Sequence, residues 1–295
     1  MNSTLAPDTQ AIVIEEFDVR RIIAQYNGMG LNTQRFFDRD TLKLYECKKT
    51  TYRFFHPASS IGDSKFYSDL SRTRKQYYHD RWEHGIAISN IKLLDTVLEV
   101  GVGFGHFLKT LSDRGNTCVG LELNPNAVKH CQNLGLKVTN QLIEDVSITT
   151  ESKYDVVCSF QVLEHIYDVN SFLKHQLKVL KKGGKLIIGV PNNNPYLFVS
   201  DKYHTLNLPP HHAGLWNKKS LIALESLFNL KLLEMKFEPF KYSYPHFMTV
   251  HIQKINNRYI RSLISKLSKV LEKQLRFLLS KFIKGRNVIA VYEKL

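Results

Sequence analysis

The chain has 295 residues and a formal net charge of +14 at pH 7, and 43% of its residues are hydrophobic, enough for the core of one elaborated domain. No segment approaches the ~18 apolar residues that a transmembrane helix needs, and the N-terminus has no basic-then-apolar secretion signal, so we expect neither feature. The four cysteines, Cys47, Cys118, Cys131 and Cys158, include no Cys-x-x-Cys pair, which favours buried thiols in the cytoplasm over a disulfide scaffold.

The segment before the first core strand is rich in aromatic residues. We expect residues 1–10 to be disordered. Further on, apolar side chains recur at helical spacing, at Phe66, Tyr67, Leu70, Tyr77, Tyr78, Trp82 and Ile86. This spacing predicts a helical, aromatic-rich lead-in, whose side chains either pack against the following domain or face a ligand.

A glycine-rich loop follows the first buried strand. An apolar run at residues 97–100 includes Glu99 and leads directly into Gly101, Gly103 and Gly105. Glycines beyond the end of a buried strand let the backbone turn sharply and let a ligand approach main-chain atoms. The loop therefore predicts a site for a nucleotide cofactor.

The spacing of these glycines weakens the case for a dinucleotide. A dinucleotide site requires Gly-x-Gly-x-x-Gly, in which the last glycine packs the helix against the sheet, and His106 occupies that position here. Glu122 ends the next apolar run, where an acidic residue accepts the two ribose hydroxyls of either kind of cofactor. The loop and Glu122 alone leave a dinucleotide and an adenosyl cofactor open.

The rest of the chain alternates strands and helices. We predict strands near 96–100, 117–122, 137–140, 154–160 and 185–190, helices near 105–114, 125–134, 171–181 and 218–228, and two last strands at 231–237 and 287–292. Strictly alternating elements of this kind predict a parallel sheet.

The order of segments after residue 153 favours one family. A strand at 154–160 is followed by Gln161-Val162-Leu163-Glu164-His165, a helix, and the run Lys182-Gly183-Gly184-Lys185-Leu186-Ile187-Ile188-Gly189-Val190-Pro191. Together with the glycine loop, this order resembles the class I S-adenosylmethionine-dependent methyltransferases, in the group that includes ubiquinone-biosynthesis O-methyltransferases and bacterial sugar and natural-product methyltransferases. The resemblance covers about residues 92 to 240.

The resemblance implies a specific architecture. It is an α/β fold with a Rossmann-like, seven-stranded, mostly parallel sheet in the order 3-2-1-4-5-7-6 and helices on both faces. Residues 1–90 would form an N-terminal helical and aromatic cap that acts as a substrate lid, and residues 91–295 the core. A helical insertion at 241–286 would precede the last strand.

The resemblance also implies S-adenosylmethionine as the cofactor. Carried over position by position, the cofactor contacts are Glu99, Gly101, Gly103 and Gly105 in the loop, Glu122 and Leu123 after the second strand, Ile143, Glu144 and Asp145 after the third, and Phe160 and Gln161 at the end of the fourth.

Methyl transfer is an in-line displacement, so the enzyme mainly orients its substrates, excludes water and removes a proton from the acceptor. Histidine suits the last task because its pKa lies near working pH. His165 follows the fourth strand. His211 and His212 lie in a loop that, in the resembled fold, reaches over the acceptor. At both sites, a purely structural role for the histidines is the alternative. We expect no metal, because the spacing of these histidines with His204 and Asp201 matches no ligand pattern.

The insertion has an apolar stripe at helical spacing, formed by Ile260, Leu263, Ile264, Leu267, Leu271, Leu275, Leu278 and Phe282. Its other faces are basic, with Glu272 the single acid against nine lysines and arginines in residues 258–286. We predict a basic amphipathic helix with three interpretations, in decreasing order of weight: packing or homodimer formation, contact with an anionic membrane through 258–286, and nucleic-acid binding.

We therefore expect a cytoplasmic enzyme, with or without peripheral contact to the inner face of the membrane. Its acceptor would be a small molecule, methylated at a hydroxyl of a sugar, a glycan or lipid-linked intermediate, or a secondary metabolite. The alternatives are an RNA methyltransferase that uses the basic insertion and a non-catalytic scaffold that retains the cofactor fold. The [Asn/Asp]-Pro-Pro-aromatic motif of nucleic-acid N-methyltransferases is not found at the end of the fourth strand, where Ser159-Phe160-Gln161-Val162 stands.

Overall fold

The computed structural model describes residues 1–73, 81–193 and 201–295, so the predicted helical positions Tyr77 and Tyr78 lie outside the described residues. The strands are β1 Ala11–Asp18, β2 Thr41–Cys47, β3 Arg53–His56, β4 Thr96–Val100, β5 Thr117–Leu121, β6 Val138–Thr139, β7 Tyr154–Phe160, β8 Leu180–Pro191, β9 Gly214–Leu215, β10 Leu230–Phe237 and β11 Asn287–Lys294. The α-helices are α1 Val19–Asn27, α2 Ser64–Thr73, α3 Trp82–Ser89, α4 His106–Asp113, α5 Pro125–Asn133, α6 Ile143–Thr149, α7 Val169–Val179, α8 Lys218–Ile222, α9 Leu224–Phe228, α10 Phe240–Gln253, α11 Arg258–Val270 and α12 Glu272–Ser280.

Seven strands form the central sheet, in the spatial order β10-β11-β8-β7-β4-β5-β6. When these seven strands are numbered 1 to 7 in chain order and read from the β6 end, the order is 3-2-1-4-5-7-6. The strands from β4 to β8 run parallel, whereas β11 is antiparallel to both β8 and β10. The predicted α/β class with a mostly parallel sheet is confirmed.

Both faces of this sheet are buried, which explains why its strands read as continuous apolar runs. Successive side chains of a strand point to opposite faces, so Leu98 lies in one hydrophobic cluster and Val97 in another. Ile188 and Ile187 on β8 divide between the same two clusters. The sheet is therefore the middle layer of the domain, and its carboxyl edge is fixed from both sides.

The segment before the core contains the helices α1, α2 and α3, but it also contains strands that were not predicted, so the predicted helical cap is incomplete. β1, β2, β3 and β9 form a four-stranded antiparallel sheet. The last of these strands comes from far along the chain and pairs Phe54 with Gly214 and Arg53 with Leu215. A partner about 160 residues away leaves no local pattern, whereas the predicted helical spacing is confirmed at Phe66, Tyr67 and Leu70 by α2 and at Trp82 and Ile86 by α3.

Residues 1–10 are ordered, so the prediction of disorder is wrong. Asn2 and Gln10 form a β-bridge, and the turn between them places Leu5 in the main core with no exposed surface. The side-chain amide of Asn170 donates to the Leu5 carbonyl at 2.9 Å. A single anchoring leucine has no periodicity, so the sequence could not reveal this contact.

The insertion contains three helices. The prediction of one continuous amphipathic helix is wrong, because the structure divides it in two. The apolar stripe is divided between α11 and α12, which meet at a break at Leu271. The helix α10 packs against them, with Tyr244 Oη donating to the Ser268 carbonyl at 3.1 Å. Within the described residues, no helix combines the length and the apolar character needed to cross a membrane.

Candidate active site

A cavity of about 1300 Å³ lies at the carboxyl ends of β4, β5, β7 and β8. Parallel strands bring their carboxyl ends to one edge, where ligands of open α/β sheets bind. A single small-molecule site typically measures ~300–1000 Å³. This cavity can therefore hold two ligands side by side.

The glycine loop forms one wall of the cavity. Gly101, Gly103 and Gly105 have φ angles of +83°, +57° and +83°, the left-handed region that favours glycine. A Cβ on Gly101 would clash with Val162 Cγ2, and one on Gly105 would lie 2.8 Å from Leu136 Cδ1. Gly101 and Gly103 line the cavity, whereas Gly105 is not among the described residues that line it and precedes the first residue of α4.

Glu122 is held in place by the loop it faces. Its Oε2 accepts the Gly103 N–H at 2.8 Å, and its Oε1 accepts the Asn124 N–H at 2.7 Å. The side chain lines the cavity. A carboxylate fixed by two backbone donors keeps lone pairs for further hydroxyl groups, so its geometry suits a ribose diol without rearrangement.

Glu99 is a buried acid on the cavity wall. It is 2% exposed, and within the described chain its Oε2 has no hydrogen-bond partner. Burial, and then the charge of Glu122, raise the pKa of Glu99 well above its usual value. A cationic or donor group of a ligand would satisfy this oxygen, so the two glutamates and the loop fit a nucleoside that carries an amino group.

The other predicted cofactor contacts lie around the same space. Leu123, Ile143 and Glu144 line the cavity, and so do Phe160 and Gln161. Asp145 is not among the described residues that do.

Gln161 has a strained backbone, with φ of +56°. A non-glycine residue in this region costs ~1–3 kcal/mol and persists only where its surroundings hold it. Here the Gln161 N–H donates to the Gly189 carbonyl at 2.7 Å, and Nε2 donates to Glu83 Oε1 at 3.0 Å. Glu83 on α3 thus fixes a cavity residue from the outside, and no sequence pattern indicated this role.

The three predicted histidines converge on the opposite wall. The His165 ring centroid lies 4.9 Å from that of His211 and 4.9 Å from that of His212, and the latter two rings are 4.3 Å apart. His165 Nδ1 is 2.6 Å from the His211 carbonyl oxygen. Since a carbonyl only accepts, Nδ1 carries the proton and Nε2 keeps the lone pair.

Burial controls the charges in this cluster. It lowers the pKa of His165 to about 4, against the effect of the hydrogen bond to His211, so the ring is neutral near pH 7. Burial also raises the pKa of Glu164 to about 8. Glu164 is 1% exposed, its Oε1 lies 3.9 Å from His165 Nε2, and its Oε2 has no partner among the described residues.

The cap supplies cavity residues that the sequence did not identify, including Asp63, Arg81 and His84, together with Tyr67, which it did. Tyr67 belongs to the aromatic series at helical spacing, and its Oη donates to the His211 carbonyl at 2.8 Å. The sequence left open whether Tyr67 packs against the domain or faces a ligand; Tyr67 lines the cavity, and its hydroxyl joins the cap to the histidine loop.

Comparison with known proteins gives concordant matches. A family model described as a methyltransferase domain matches residues 98–188. The ubiquinone biosynthesis O-methyltransferase of Pseudomonas savastanoi pv. phaseolicola is 34% identical over 155 residues, which cover 45% of this chain and 67% of that protein. The enzyme of the same description from Pelagibacter ubique is 28% identical over 159 residues, covering 50% of this chain and 65% of that protein.

Solved structures agree on the fold. A SAM-dependent methyltransferase from Thermotoga maritima, described as a possible histamine N-methyltransferase, superposes with a TM-score of 0.52 at 15% identity, covering 78% of this chain and 97% of that chain. One from Archaeoglobus fulgidus gives 0.51 at 17% identity, covering 79% and 100%.

Proposed function

We propose that this chain, which belongs to the class I S-adenosylmethionine-dependent methyltransferases, methylates a hydroxyl group of a small molecule. The proposed acceptor is a sugar, a glycan or lipid-linked intermediate, or a secondary metabolite. The observation that carries this proposal is one cavity that joins the glycine loop to a cluster of three histidines. Relatives described as O-methyltransferases support oxygen as the acceptor atom.

The cofactor, S-adenosylmethionine, supplies an activated methyl group on a positively charged sulfur. We assign Glu122 to its ribose diol and Glu99 to its amino group, with Gly101 and Gly103 allowing close backbone approach. The proposed contacts near the adenine are Leu123, Ile143, Glu144 and Asp145, with Phe160 and Gln161 at the end of β7. Gly105 supports the loop by beginning α4.

The acceptor hydroxyl must lose its proton, and we propose that the histidine cluster promotes this loss. His211 and His212 are the candidate bases, while His165, neutral and fixed by its hydrogen bond, orients the acceptor. The cap over the cavity excludes water. Mutation of His211→Ala and His212→Ala should each lower kcat strongly while cofactor binding stays normal. If both variants turn over at near-native rates, the proton leaves by another route.

A labelled-methyl transfer screen tests the function directly. Purified protein and S-adenosylmethionine are incubated with extracts enriched in nucleotide sugars, glycolipids, quinones or RNA, and the labelled product is mapped by mass spectrometry. Label on a hydroxyl of a small molecule supports the proposal. Label confined to RNA would favour the alternative, and no label despite cofactor binding would favour a scaffold.

The insertion supports a second part of the proposal, contact with an anionic lipid surface. The apolar stripe faces outward, with Leu263 58%, Leu278 52% and Phe282 78% exposed. Basic side chains flank it, as where Lys281 Nζ lies 4.6 Å from the Phe277 ring centroid. A symmetric homodimer through this stripe would place two strongly basic faces against each other, which like-charge repulsion opposes.

Liposome flotation separates the two interpretations. The protein should float with vesicles that contain phosphatidylserine and less with neutral vesicles, because each basic residue near such a surface contributes about 1 kcal/mol. The variant Leu263→Glu should lose flotation. Its matched control is Leu94→Glu, since Leu94 is 91% exposed outside the insertion. Unchanged flotation of Leu263→Glu would show that the stripe is not the lipid contact, whereas a concentration-dependent mass that this variant abolishes would show a dimer. We place the enzyme in the cytoplasm, at the inner face of the membrane, in line with its four buried free thiols.

A further inference from the structure

We infer that His165, His211 and His212 form a binding site for one divalent transition-metal cation beside the cofactor loop. One ring nitrogen of each histidine lies within 4.8 Å of one nitrogen of each of the others. All three side chains line the cavity that also contains the glycine loop. The sequence did not predict this site, because His165 is separated from the other two by 46 residues or more.

The separation of the nitrogens is close to what a metal ion requires. A zinc ion binds imidazole nitrogens at ~2.0–2.1 Å, so nitrogens that share it tetrahedrally lie roughly 3.4 Å apart. The three nitrogens lie within 4.8 Å of one another, and a bound cation would draw them to this spacing. The His211 and His212 rings already lie nearly parallel and close together.

His165 already has the orientation of a metal ligand. Its Nδ1–H donates to the His211 carbonyl, which fixes the ring and leaves Nε2 as the nitrogen that can bind a metal ion. Histidines that bind metals almost always donate their second N–H to a carbonyl or carboxylate in this way. The Tyr67 hydroxyl donates to the same carbonyl and holds it in place.

The backbone joins the two segments that carry the ligands. The Ala213 N–H donates to the Glu164 carbonyl at 2.7 Å, and the Phe55 N–H donates to the Ala213 carbonyl at 2.9 Å. Glu164, which precedes His165, and Ala213, which follows His212, are thus joined by a backbone hydrogen bond. This bond fixes the positions of the segments that carry the three histidines.

The buried carboxyl group of Glu164 is a second, independent indication that a cation binds here. Its carboxyl group is 1% exposed, lines the cavity beside His165, and has an Oε2 with no partner in the described part of the chain. Burying a carboxyl oxygen without a partner is costly, and a bound cation satisfies it directly or through a bound water molecule.

The donor set determines which cations fit. Imidazole nitrogens suit Zn²⁺, Co²⁺, Ni²⁺ and Fe²⁺, whereas Mg²⁺ and Ca²⁺ prefer oxygen ligands. Three protein ligands leave one coordination position open, as in catalytic rather than structural sites. This position would orient and polarise an acceptor hydroxyl, a consequence that rests on the proposed function. A coordinated nitrogen cannot also accept a proton, so His211 and His212 would act as general bases only in metal-free protein; with the cation bound, the polarised hydroxyl would release its proton to water.

Metal titration tests the inference without methyl transfer. Untagged full-length protein is stripped with a chelator and titrated with Zn²⁺ by calorimetry and with Co²⁺ by visible absorption. The native protein should bind one equivalent and give the absorption of tetrahedrally coordinated Co²⁺. His165→Gln and His212→Gln should each weaken Zn²⁺ binding at least a hundredfold. The matched control is His175→Gln, since His175 lies on α7 with its ring bonded to Ser147.

S-adenosylmethionine affinity, measured on each sample, identifies variants that fail to fold. Native protein that binds the cofactor but shows no saturable Zn²⁺ binding would overturn the inference. Equal Zn²⁺ affinity in native protein and His212→Gln would overturn it as well, because the binding would then lie elsewhere. If Zn²⁺ binds at the cluster but no acceptor is methylated, the proposed function fails while the metal site stands.

Discussion

Replacing Glu122 by glutamine tests the cofactor site most directly, because the carboxylate accepts two backbone N–H groups of the loop, from Gly103 at 2.8 Å and Asn124 at 2.7 Å. Glutamine has one carbonyl oxygen, so one of these N–H groups would face an NH₂ group. Hydrogen bonds to charged groups contribute ~1.5–3 kcal/mol each, so the free energy of unfolding should fall by about this amount. Each kcal/mol lowers Tm by roughly 2–4 °C in a domain of about this size.

The same substitution should weaken cofactor binding, because the amide also loses an acceptor for the ribose diol. A further loss of ~1.5–3 kcal/mol corresponds to a Kd for S-adenosylmethionine that rises roughly 10- to 150-fold. Isothermal calorimetry measures the Kd and differential scanning calorimetry the Tm. The matched control is Glu151→Gln, the same chemical change on an exposed side chain that is not among the described cavity residues. A Kd within twofold of native, or comparable affinity for NAD, would refute this assignment of Glu122.

Three further predictions concern stability. Leu5→Ala should lower the free energy of unfolding by ~2–5 kcal/mol, because it leaves a cavity in the core. Its control, Leu94→Ala at a 91% exposed position, should change that free energy by less than about 0.5 kcal/mol. Chemical denaturation compares the two variants, and equal effects would show that the N-terminal turn is not anchored. Gly101→Ala should lower the free energy of unfolding by at least ~1–2 kcal/mol, because φ is +83° and the new Cβ meets Val162. The same substitution should abolish cofactor binding in calorimetry. A variant with native cofactor affinity would contradict the need for glycine at this position. The pKa of Glu164 is raised to about 8 in the folded state, so the folded state holds an extra proton between its ordinary pKa and about pH 8, and the stability that Glu164 contributes should fall as pH rises through this window. The measurement is the Tm of metal-free native protein minus that of Glu164→Gln at each pH, which cancels the opposite trend of His165; a difference that does not change across the window would contradict the prediction.

The core could be predicted because its signals are local. Strands such as β4, β7 and β8 are buried on both faces and read as apolar runs, and the glycine loop follows the first of them without interruption. The acid at the end of β5 and the order of elements then indicated the cofactor class. Each of these features depends on residues within a few positions of one another.

The features that were missed depend on distant contacts. Leu5 finds its place through Asn170, β9 pairs with β3 across most of the chain, and Gln161 is held by Glu83. The break at Leu271 interrupts a stripe whose spacing continues through it. The histidines were identified one by one, but their convergence arises from two separate loops that meet over the cavity.

The short strand β9 ties the position of the histidine loop to the position of the N-terminal sheet. Because Gly214 and Leu215 extend the N-terminal sheet directly after His211 and His212, any opening movement of that sheet carries the histidine loop with it. If the N-terminal sheet acts as the proposed substrate lid, the histidines proposed to act on the acceptor would come into place only when that lid closes.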